Sequence, residues 1–424
     1  MKKTVVFAAA LSLAALRVSA FAQGGTGIDI GVGARAFAFA GNHTAVANDL
    51  SAVYWNPAAL AFMPVREFQA SFDVTRTIGR SEIYGGGASA LPGAKMDDIM
   101  DRMRLRGIGV MTAIPTVQGG LSVAASYESP FAFDDFSVYG YIDKDGVANT
   151  ETLRRYGDIN RWNMAFGIQV APQIAIGFTV SLVTGDDSTN VNSEKNGEPF
   201  DNRAQKYGYL GYSLIGGLMY RPADCLSLGL SVNMMMGLDV NWKGTTNWNE
   251  GSDVNLSAAK KGNAYRAPYG ALGAGLTLPW MIAAFDFRFI MPYTVVLPGS
   301  DIPDVQARDF KVGAGIGVEA PLPVSAPVVL RAGYSVDECD FFTLVQDINE
   351  SGDNEVFWYE DYWREFSPGL KHSFSIGAGV FTSGAGFELS YGYQTWDLKQ
   401  TSEARTLKQT YSNHRVMGAV IFRY

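Results

Sequence analysis

Apolar and polar side chains alternate along most of this chain, in about fourteen segments of roughly ten residues each. In the last segment, residues 412–424, Val420 and Phe422 fall on one side of an extended strand, and Ala419 and Arg423 fall on the other. Because the side chains of a strand point alternately to its two faces, this period predicts strands with one apolar face. The predicted strands span residues 66–76, 105–114, 118–127, 161–170, 173–183, 208–220, 224–234, 265–278, 280–290, 309–320, 327–336, 372–381, 385–396 and 412–424.

The connections between these strands alternate in length. Every second one is a short turn, such as residues 171–173 and 221–224. The others are long and polar and span residues 77–104, 128–160, 184–207, 235–264, 291–308, 337–371 and 397–411. Within the first of them, the spacing of apolar residues over 96–103 predicts a short amphipathic helix. Short turns at one end and long loops at the other are typical of outer-membrane barrels, with the turns in the periplasm and the loops at the cell surface.

Composition agrees with a barrel. The chain has 47 glycines, 12% aromatic residues and only 18% charged residues, and no helix-length apolar stretch follows the first 22 residues. In lipid the backbone must satisfy its own hydrogen bonds, so only helices and closed barrels can span a bilayer. We therefore predict an all-β fold, a transmembrane antiparallel β-barrel of about fourteen strands over residues 66–424. A soluble β-sandwich or β-helix remains the alternative, since those folds also alternate.

Residues 1–22 have the features of a secretory signal peptide. A positively charged start is followed by an apolar run over residues 5–16, which is too short to span a bilayer. The small residues Ala20 and Ala22 supply a cleavage pattern, so the mature chain is expected to begin near Gln23. An uncleaved membrane anchor is the alternative.

Residues 23–65 lack the alternating pattern and are rich in glycine and alanine. A barrel of about fourteen strands encloses a lumen wider than the side chains of its wall can fill. We therefore expect residues 23–65 to form an N-terminal hatch, or plug, inside the lumen. An extended periplasmic arm is the alternative.

Three stretches of this region carry a resemblance to a known family. They are residues 33–36 (GARA), 45–49 (AVAND) and 51–60 (SAVYWNPAAL). Together they resemble the hatch of the FadL/TodX outer-membrane transporters for hydrophobic compounds, and they are most similar to the FadL-like proteins of spirochaetes. The resemblance assigns Asn56, Pro57 and Ala58 to the hatch motif and leaves the ligand-binding residues unknown.

The resemblance implies passive uptake of long-chain fatty acids or other hydrophobic small molecules by a monomer that contacts outer-membrane lipids. Pro57 restricts the backbone of Asn56, whose amide could then bridge hatch and wall. Glycines 107, 109, 119 and 120 flank one hairpin and could bend it to open a lateral exit, although ordinary small inward-facing residues are the preferred explanation. A surface adhesin, or an interaction barrel of a secretion or lipid-handling assembly, is the alternative function, and a water-filled porin is a third.

The sequence gives little sign of other chemistry. Its three histidines, His43, His372 and His414, are scattered, and it has no hydrolase, metalloprotease or P-loop motif. The acidic loop 337–371 lacks the ligand spacing of a calcium loop. The net charge of −8 contains no basic block. We therefore expect no catalytic residues, metal site or cofactor, and no nucleic-acid partner.

Overall fold

The computed structural model describes residues 28–29, 31–84, 89–90, 96–117, 119–142, 146–248, 254–265, 267–297, 304–308, 310–323, 327–338, 343–345, 365–401 and 406–424. Its strands are β1 (Ile28–Asp29), β2 (Arg66–Tyr84), β3 (Ser89–Ala90), β4 (Met96–Ile114), β5 (Leu121–Ala132), β6 (Asp135–Ile142), β7 (Ala148–Ala171), β8 (Ile174–Lys195), β9 (Glu198–Ala223), β10 (Leu226–Trp248), β11 (Val254–Tyr265), β12 (Tyr269–Leu278), β13 (Met281–Ile290), β14 (Tyr293–Leu297), β15 (Asp304–Arg308), β16 (Lys311–Pro321), β17 (Val328–Glu338), β18 (Thr343–Val345), β19 (Glu365–Pro368), β20 (Leu370–Phe381), β21 (Ala385–Thr401) and β22 (Thr406–Arg423).

Fourteen of these strands form a closed antiparallel barrel. They are β2, β4, β5, β7, β8, β9, β10, β12, β13, β16, β17, β20, β21 and β22. Closure comes from the ladder between β2 and β22, which runs from Glu67 opposite Arg423 to Tyr84 opposite Thr406. The predicted barrel is therefore confirmed, and every predicted strand is present.

Several predicted loops are wrong. Residues 184–207, for example, continue the ladder of β8 and β9 to Lys195 opposite Glu198, and β4 begins at Met96 where a helix was expected. Residues 184–207 are mostly polar, and residues 96–103 have apolar side chains three and four positions apart, so neither stretch shows the alternation of a strand although the backbone ladder continues. The barrel thus has a short-turn end and a long-hairpin end, where the strands extend furthest.

The outer face of the barrel is apolar. On β8, Ile176, Phe178 and Val180 are 45–49% exposed, whereas Ala175 and Thr179 are completely buried. The same alternation holds on the other barrel strands, and it places large apolar side chains outward and small or polar ones inward. This arrangement suits a wall whose outer surface meets lipid.

The described helices all precede β2. They are α1 (Ala34–Ala38), α2 (Ala52–Trp55) and a 3₁₀ helix (Pro57–Phe62). Each is one or two turns long. Among the described residues, no helix has the length and apolar character needed to cross a membrane.

Substitutions on one strand can test the position of the bilayer. Ile376 and Leu370 both lie exposed on the outer face of β20, at the middle and at the long-hairpin end. We expect Ile376→Arg to cost about 2–4 kcal/mol of unfolding free energy and Leu370→Arg about 0–1 kcal/mol, since the cost of a cation falls towards the interface. Guanidinium titration in phospholipid vesicles measures both, and equal costs would contradict a bilayer centred on Ile376.

Candidate functional site

Residues 31–65 lie inside the barrel, against the inner face of the wall. Ala34, Phe39 and Leu60 are completely buried, as are most of their neighbours. We call this stretch the N-terminal segment. Its 3₁₀ helix packs on β7, β8 and β9, and α1 packs on β17, β20, β21 and β22.

Glycines of the wall allow the backbone of the N-terminal segment to touch it. A Cβ atom on Gly177 would lie 2.4 Å from the carbonyl carbon of Pro57, and one on Gly217 would lie 2.3 Å from Oδ1 of Asn56. Neither distance is compatible with a side chain. The same close approach recurs at Gly229, Gly315, Gly317 and Gly333. The wall is therefore shaped to fit this segment.

The motif of Asn56, Pro57 and Ala58 lies at this contact, and all three residues are buried. The amide of Asn56 donates to the carbonyl oxygens of Thr44, at 2.9 Å, and Leu218, at 3.2 Å. Its Oδ1 accepts a 3.1 Å hydrogen bond from the backbone N–H of Ala58. Pro57, which has no N–H to satisfy, begins the 3₁₀ helix. Asn56 thus joins two parts of the segment to the wall strand β9.

Ion pairs hold the segment at the short-turn end. Arg35 contacts Glu319 at 2.9 Å, and Glu319 also contacts Arg331 at 2.6 Å. A second carboxylate, Glu67, accepts the backbone N–H of Leu50 at 2.7 Å. The charged groups are nearly all buried, so they pair with each other rather than with water. They close the lumen on this side.

A third carboxylate, Asp286, anchors the middle of the segment. It accepts hydrogen bonds from the backbone N–H groups of His43 and Thr44, at 2.9 and 3.0 Å, and from the Thr44 hydroxyl at 2.8 Å. The imidazole of His43 is completely buried beside the rings of Phe39 and Trp55. Burial lowers the pKa of His43, so its ring stays neutral and forms part of the packed interior.

A cavity of about 180 Å³ lies between the segment and the wall, on the long-hairpin side. The rings of Phe37, Tyr54 and Trp55 line it from the segment. The wall contributes three cations and two carboxylates, which are Arg288, Lys311, Lys371, Asp337 and Glu338. Arg288 and Asp337 pair at 2.6 Å. The cavity thus has an aromatic side, formed by the segment, and a charged rim, formed by the wall. The rim carries one more positive than negative charge.

The wall is interrupted between β4 and β5. Their ladder covers residues 107–114 and 121–128, and within the described chain no ladder joins residues 96–106 to β5. Both strands are irregular here: Arg106 is a bulge in the register with β2, and the register of β5 with β7 shifts around Pro130, which has no N–H to donate. We call this interruption, between residues 96–106 and residues 129–134, the wall break.

Beyond the break, β5 turns into the lumen. Phe131 and Phe133 are completely buried in a cluster with Ile159, Val183 and Leu238 of β7, β8 and β10. Burial of two phenylalanine side chains stabilises this path by about 3–6 kcal/mol, which offsets hydrogen bonds that the ladder would have supplied.

A narrow cleft connects the break to the N-terminal segment. It holds about 20 Å³, and its lining includes Gly107 and Glu128 at the end of the ladder and Val32 of the segment. Val32 also lines the 180 Å³ cavity. A few residues of the segment therefore separate the cavity from the wall break.

The predicted site residues are only partly brought together. Asn56, Pro57 and Ala58 anchor the segment, and Gly107 lies at the wall break. Gly109 packs under Ala125 within the ladder, and Gly120 contacts the carbonyl of Ala61. Among the described residues, no group of three His, Cys, Asp or Glu side chains is placed to hold a metal ion.

The sequence interpretation missed the cavity and the charges that flank the break. Residues 102–106 alternate arginine with Met103 and Leu105, which places three arginines on the inner face of β4. Several cations on the inner face of one strand are a visible signal, but their partners come from distant strands.

Solved structures with this architecture exist, although no family model and no curated relative matches the chain. A FadL homologue from Pseudomonas aeruginosa is 13% identical, with a TM-score of 0.62 over 93% of this chain and 99% of that one. The toluene transporter TodX of P. putida is 14% identical, with a TM-score of 0.57 over 94% and 99% of the two chains. The toluene transporter TbuX of Ralstonia pickettii is 14% identical, with a TM-score of 0.54 over 93% and 99%.

The chain has the fold of these barrels. The fold expected from the FadL/TodX resemblance is therefore confirmed. The narrower likeness to spirochaete proteins has no support in these comparisons.

Two adjacent glycines can test the fit of the N-terminal segment. A Cβ on Gly217 would clash with Asn56, whereas one on Gly216, on the opposite face of β9, has no atom within 4 Å. We expect Gly217→Ala to destabilise the docked segment by about 1–3 kcal/mol, as overpacking does in other cores. Gly216→Ala should leave it unchanged. Hydrogen exchange of residues 31–65 in nanodiscs measures the effect, and equal exchange in the two variants would exclude backbone contact at Gly217.

Proposed function

We propose that this protein is an outer-membrane transporter for passive uptake of hydrophobic small molecules. The observation that carries the proposal is the aromatic cavity between the N-terminal segment and the wall, which shares the lining residue Val32 with the narrow cleft at the wall break. An apolar solute gains about 0.8 kcal/mol for each methylene that leaves water, so such a cavity lowers the barrier to crossing the polar cell surface. The barrels that share this fold include toluene transporters.

The proposal assigns a role to each part of the chain. Residues 1–22 act as signal peptide, residues 23–65 form the hatch, and residues 66–424 form the barrel of a monomer. The short-turn end faces the periplasm and the long hairpins face the cell surface, in contact with outer-membrane lipids. The ion pairs of Arg35, Glu319 and Arg331 support this role for the hatch, because they join it to the wall at the short-turn end.

The same ion pairs make an axial route unfavourable for an apolar solute. Crossing them would require breaking buried pairs and leaving charges unpaired, which costs several kcal/mol. The wall break offers a different route, from the lumen sideways into the bilayer. We infer that ligand enters the cavity from the long-hairpin end, passes Val32, and leaves through the wall between β4 and β5.

The volume of the cavity limits which ligands can fit inside it. About 180 Å³ is less than the 300–1,000 Å³ typical of drug-sized ligands, so we expect a compact hydrophobic compound to fit entirely. A long-chain fatty acid would extend out of the cavity, with its carboxylate near Lys311 and Lys371 on the positively charged rim.

Filling the cavity should abolish binding. Ala271 lines it, whereas Ala274, three residues along β12, belongs to the outward-facing set of that strand. We expect Ala271→Phe to lower retention of radiolabelled toluene or dodecanoate by purified protein about tenfold or more, and Ala274→Phe to leave retention unchanged. Undiminished retention in Ala271→Phe would place the ligand elsewhere, and which probe the wild-type protein retains identifies the ligand class.

Removing the hatch separates transport from the adhesin or interaction-barrel alternative. We expect deletion of residues 24–62 to raise single-channel conductance in planar bilayers severalfold, because the lumen of a fourteen-stranded barrel is then filled with water. A surface adhesin would keep its binding without these residues. An unchanged conductance would contradict a lumenal plug. The acidic loop that motivates the adhesin alternative lies largely outside the described residues.

A further inference from the structure

The wall break is closed by side chains where the backbone ladder ends. The cleft beside it holds about 20 Å³, enough for one or two water molecules and too little for an organic ligand. If ligand leaves here, as the proposed function requires, the break has to widen. The contacts across the break therefore decide how readily it opens.

Three arginines of β4 reach across the break or along it. Arg106 is completely buried, donates to the carbonyl oxygen of Ser129 at 2.7 Å and pairs with Asp73 of β2 at 2.8 Å. Arg102 stands 5.4 Å from the centre of the Tyr156 ring and 3.9 Å from the carboxylate of Asp134.

Arg104 makes the most direct bridge. Its guanidinium forms a two-point contact with Asp134, in which Nη1 lies 2.7 Å from Oδ2 and Nη2 contacts Oδ1. Its Nε lies 2.6 Å from Oδ1 of Asp158 on β7. One side chain thus ties β4 to the end of β5 and to the next wall strand.

The three members of this bridge differ in exposure. The side chains of Arg104 and Asp134 are 5% and 8% exposed, whereas Asp158 is 26% exposed. Asp158 can therefore meet water when the bridge breaks, so opening does not leave every charge desolvated. Arg106 is completely buried and has no such access to water, so it holds the two strands together at the end of the break next to Gly107.

Within the described residues, one short ladder joins the two sides beyond Arg104: β3, in the connection between β2 and β4, pairs with β6, with Ser89 opposite Ile142 and Ala90 opposite Tyr141. The upper half of β4 remains paired with β2, from Ser81 opposite Met96 to Phe72 opposite Leu105. The edge that faces β5 is held there by side-chain contacts. Between residues 96–106 and residues 129–134 the two sides can consequently separate without breaking a ladder, as far as the short pairing of β3 with β6 allows.

We propose that Arg104, Asp134 and Asp158 form an ionic latch that holds the wall break closed and limits the rate of lateral exit. Arg104 is a positioning residue: it touches no ligand and acts on the distance between β4 and β5. The proposal rests on the proposed function, because it concerns the exit of the same transported compound.

Loss of the latch should accelerate transport. In cells that display the protein in an outer membrane lacking other hydrophobic-compound channels, the probe is 1-N-phenylnaphthylamine, whose fluorescence rises when it reaches phospholipid. We expect Arg104→Met to speed its entry roughly tenfold, since breaking a buried ion pair shifts an open–closed equilibrium by about a decade or more. Asp134→Asn should act in the same direction.

Arg76→Met is the matched control. Arg76 of β2 pairs with Asp101 of β4 at 2.8 Å, on the outer face, where both side chains are more than half exposed. An exposed pair contributes little, so entry should stay at the wild-type rate. A merely structural role for Arg104 predicts slower entry or less folded barrel, measured by heat-dependent gel mobility, and not faster entry.

A reversible covalent bridge tests whether the wall break has to widen. The two cysteine substitutions remove one positive and one negative charge, so the net charge of the protein is unchanged. With Cys225→Ser and Cys339→Ser as background, Arg104→Cys and Asp134→Cys are joined by a cleavable bis-maleimide. We expect entry to fall below the unbridged rate and to recover when the reagent is cleaved. If Arg104→Met and the bridged protein both admit the probe at the wild-type rate, the latch is overturned and the proposed function is not. Wild-type entry equal to that of cells without the protein would overturn the proposed function and the latch with it.

Discussion

Backbone hydrogen bonding in a bilayer is the constraint on which the rest of this structure depends. A wall strand in lipid has to pair both edges, and the fourteen-stranded closure between β2 and β22 meets that requirement. Within the described residues, the edge of β4 that faces β5 lacks this pairing over residues 96–106. There Arg104 and Arg106 supply, through side chains, the connection that the ladder no longer gives. A barrel can open sideways only where side-chain contacts replace the ladder, because ladder hydrogen bonds cannot be broken in lipid without large cost.

Closure at this size creates a second problem, which the N-terminal segment addresses. A wide lumen has to be filled or it conducts water. Wall glycines such as Gly177 and Gly217 let backbone meet backbone, and Asn56 and Asp286 satisfy the polar groups that this contact buries. Since the anchoring residues come from many strands around the barrel, the segment is held as one body, and only its edge near Val32 borders both the cavity and the cleft.

The sequence predicts the barrel wall better than it predicts the candidate site. Alternation identified all fourteen strands, because lipid outside and small or polar residues inside impose a period of two on strands such as β8. It failed at 184–207, which is mostly polar, and at 96–103, where apolar residues are three and four positions apart, although the ladder continues through both. The Asn56 motif located the segment, but the partners of Arg104 lie 30 and 54 residues away in sequence, as Asp134 and Asp158. Pairs at that separation leave no local pattern.

Transport through such a wall requires that two barriers differ in strength. The hatch has to resist displacement, and its ion pair of Arg35 with Glu319, its hydrogen bond from the Leu50 N–H to Glu67 and its backbone contacts make it costly to move. The proposed exit has to yield within the lifetime of a bound ligand, and it is held by the contacts of Arg104 with Asp134 and with the partly exposed Asp158. Arg104 and Asp134 are buried like the ion pair of the hatch, so the partial exposure of Asp158 is what lowers the cost of opening. Under the proposed function, this difference favours exit of an apolar solute sideways into lipid over displacement of the hatch.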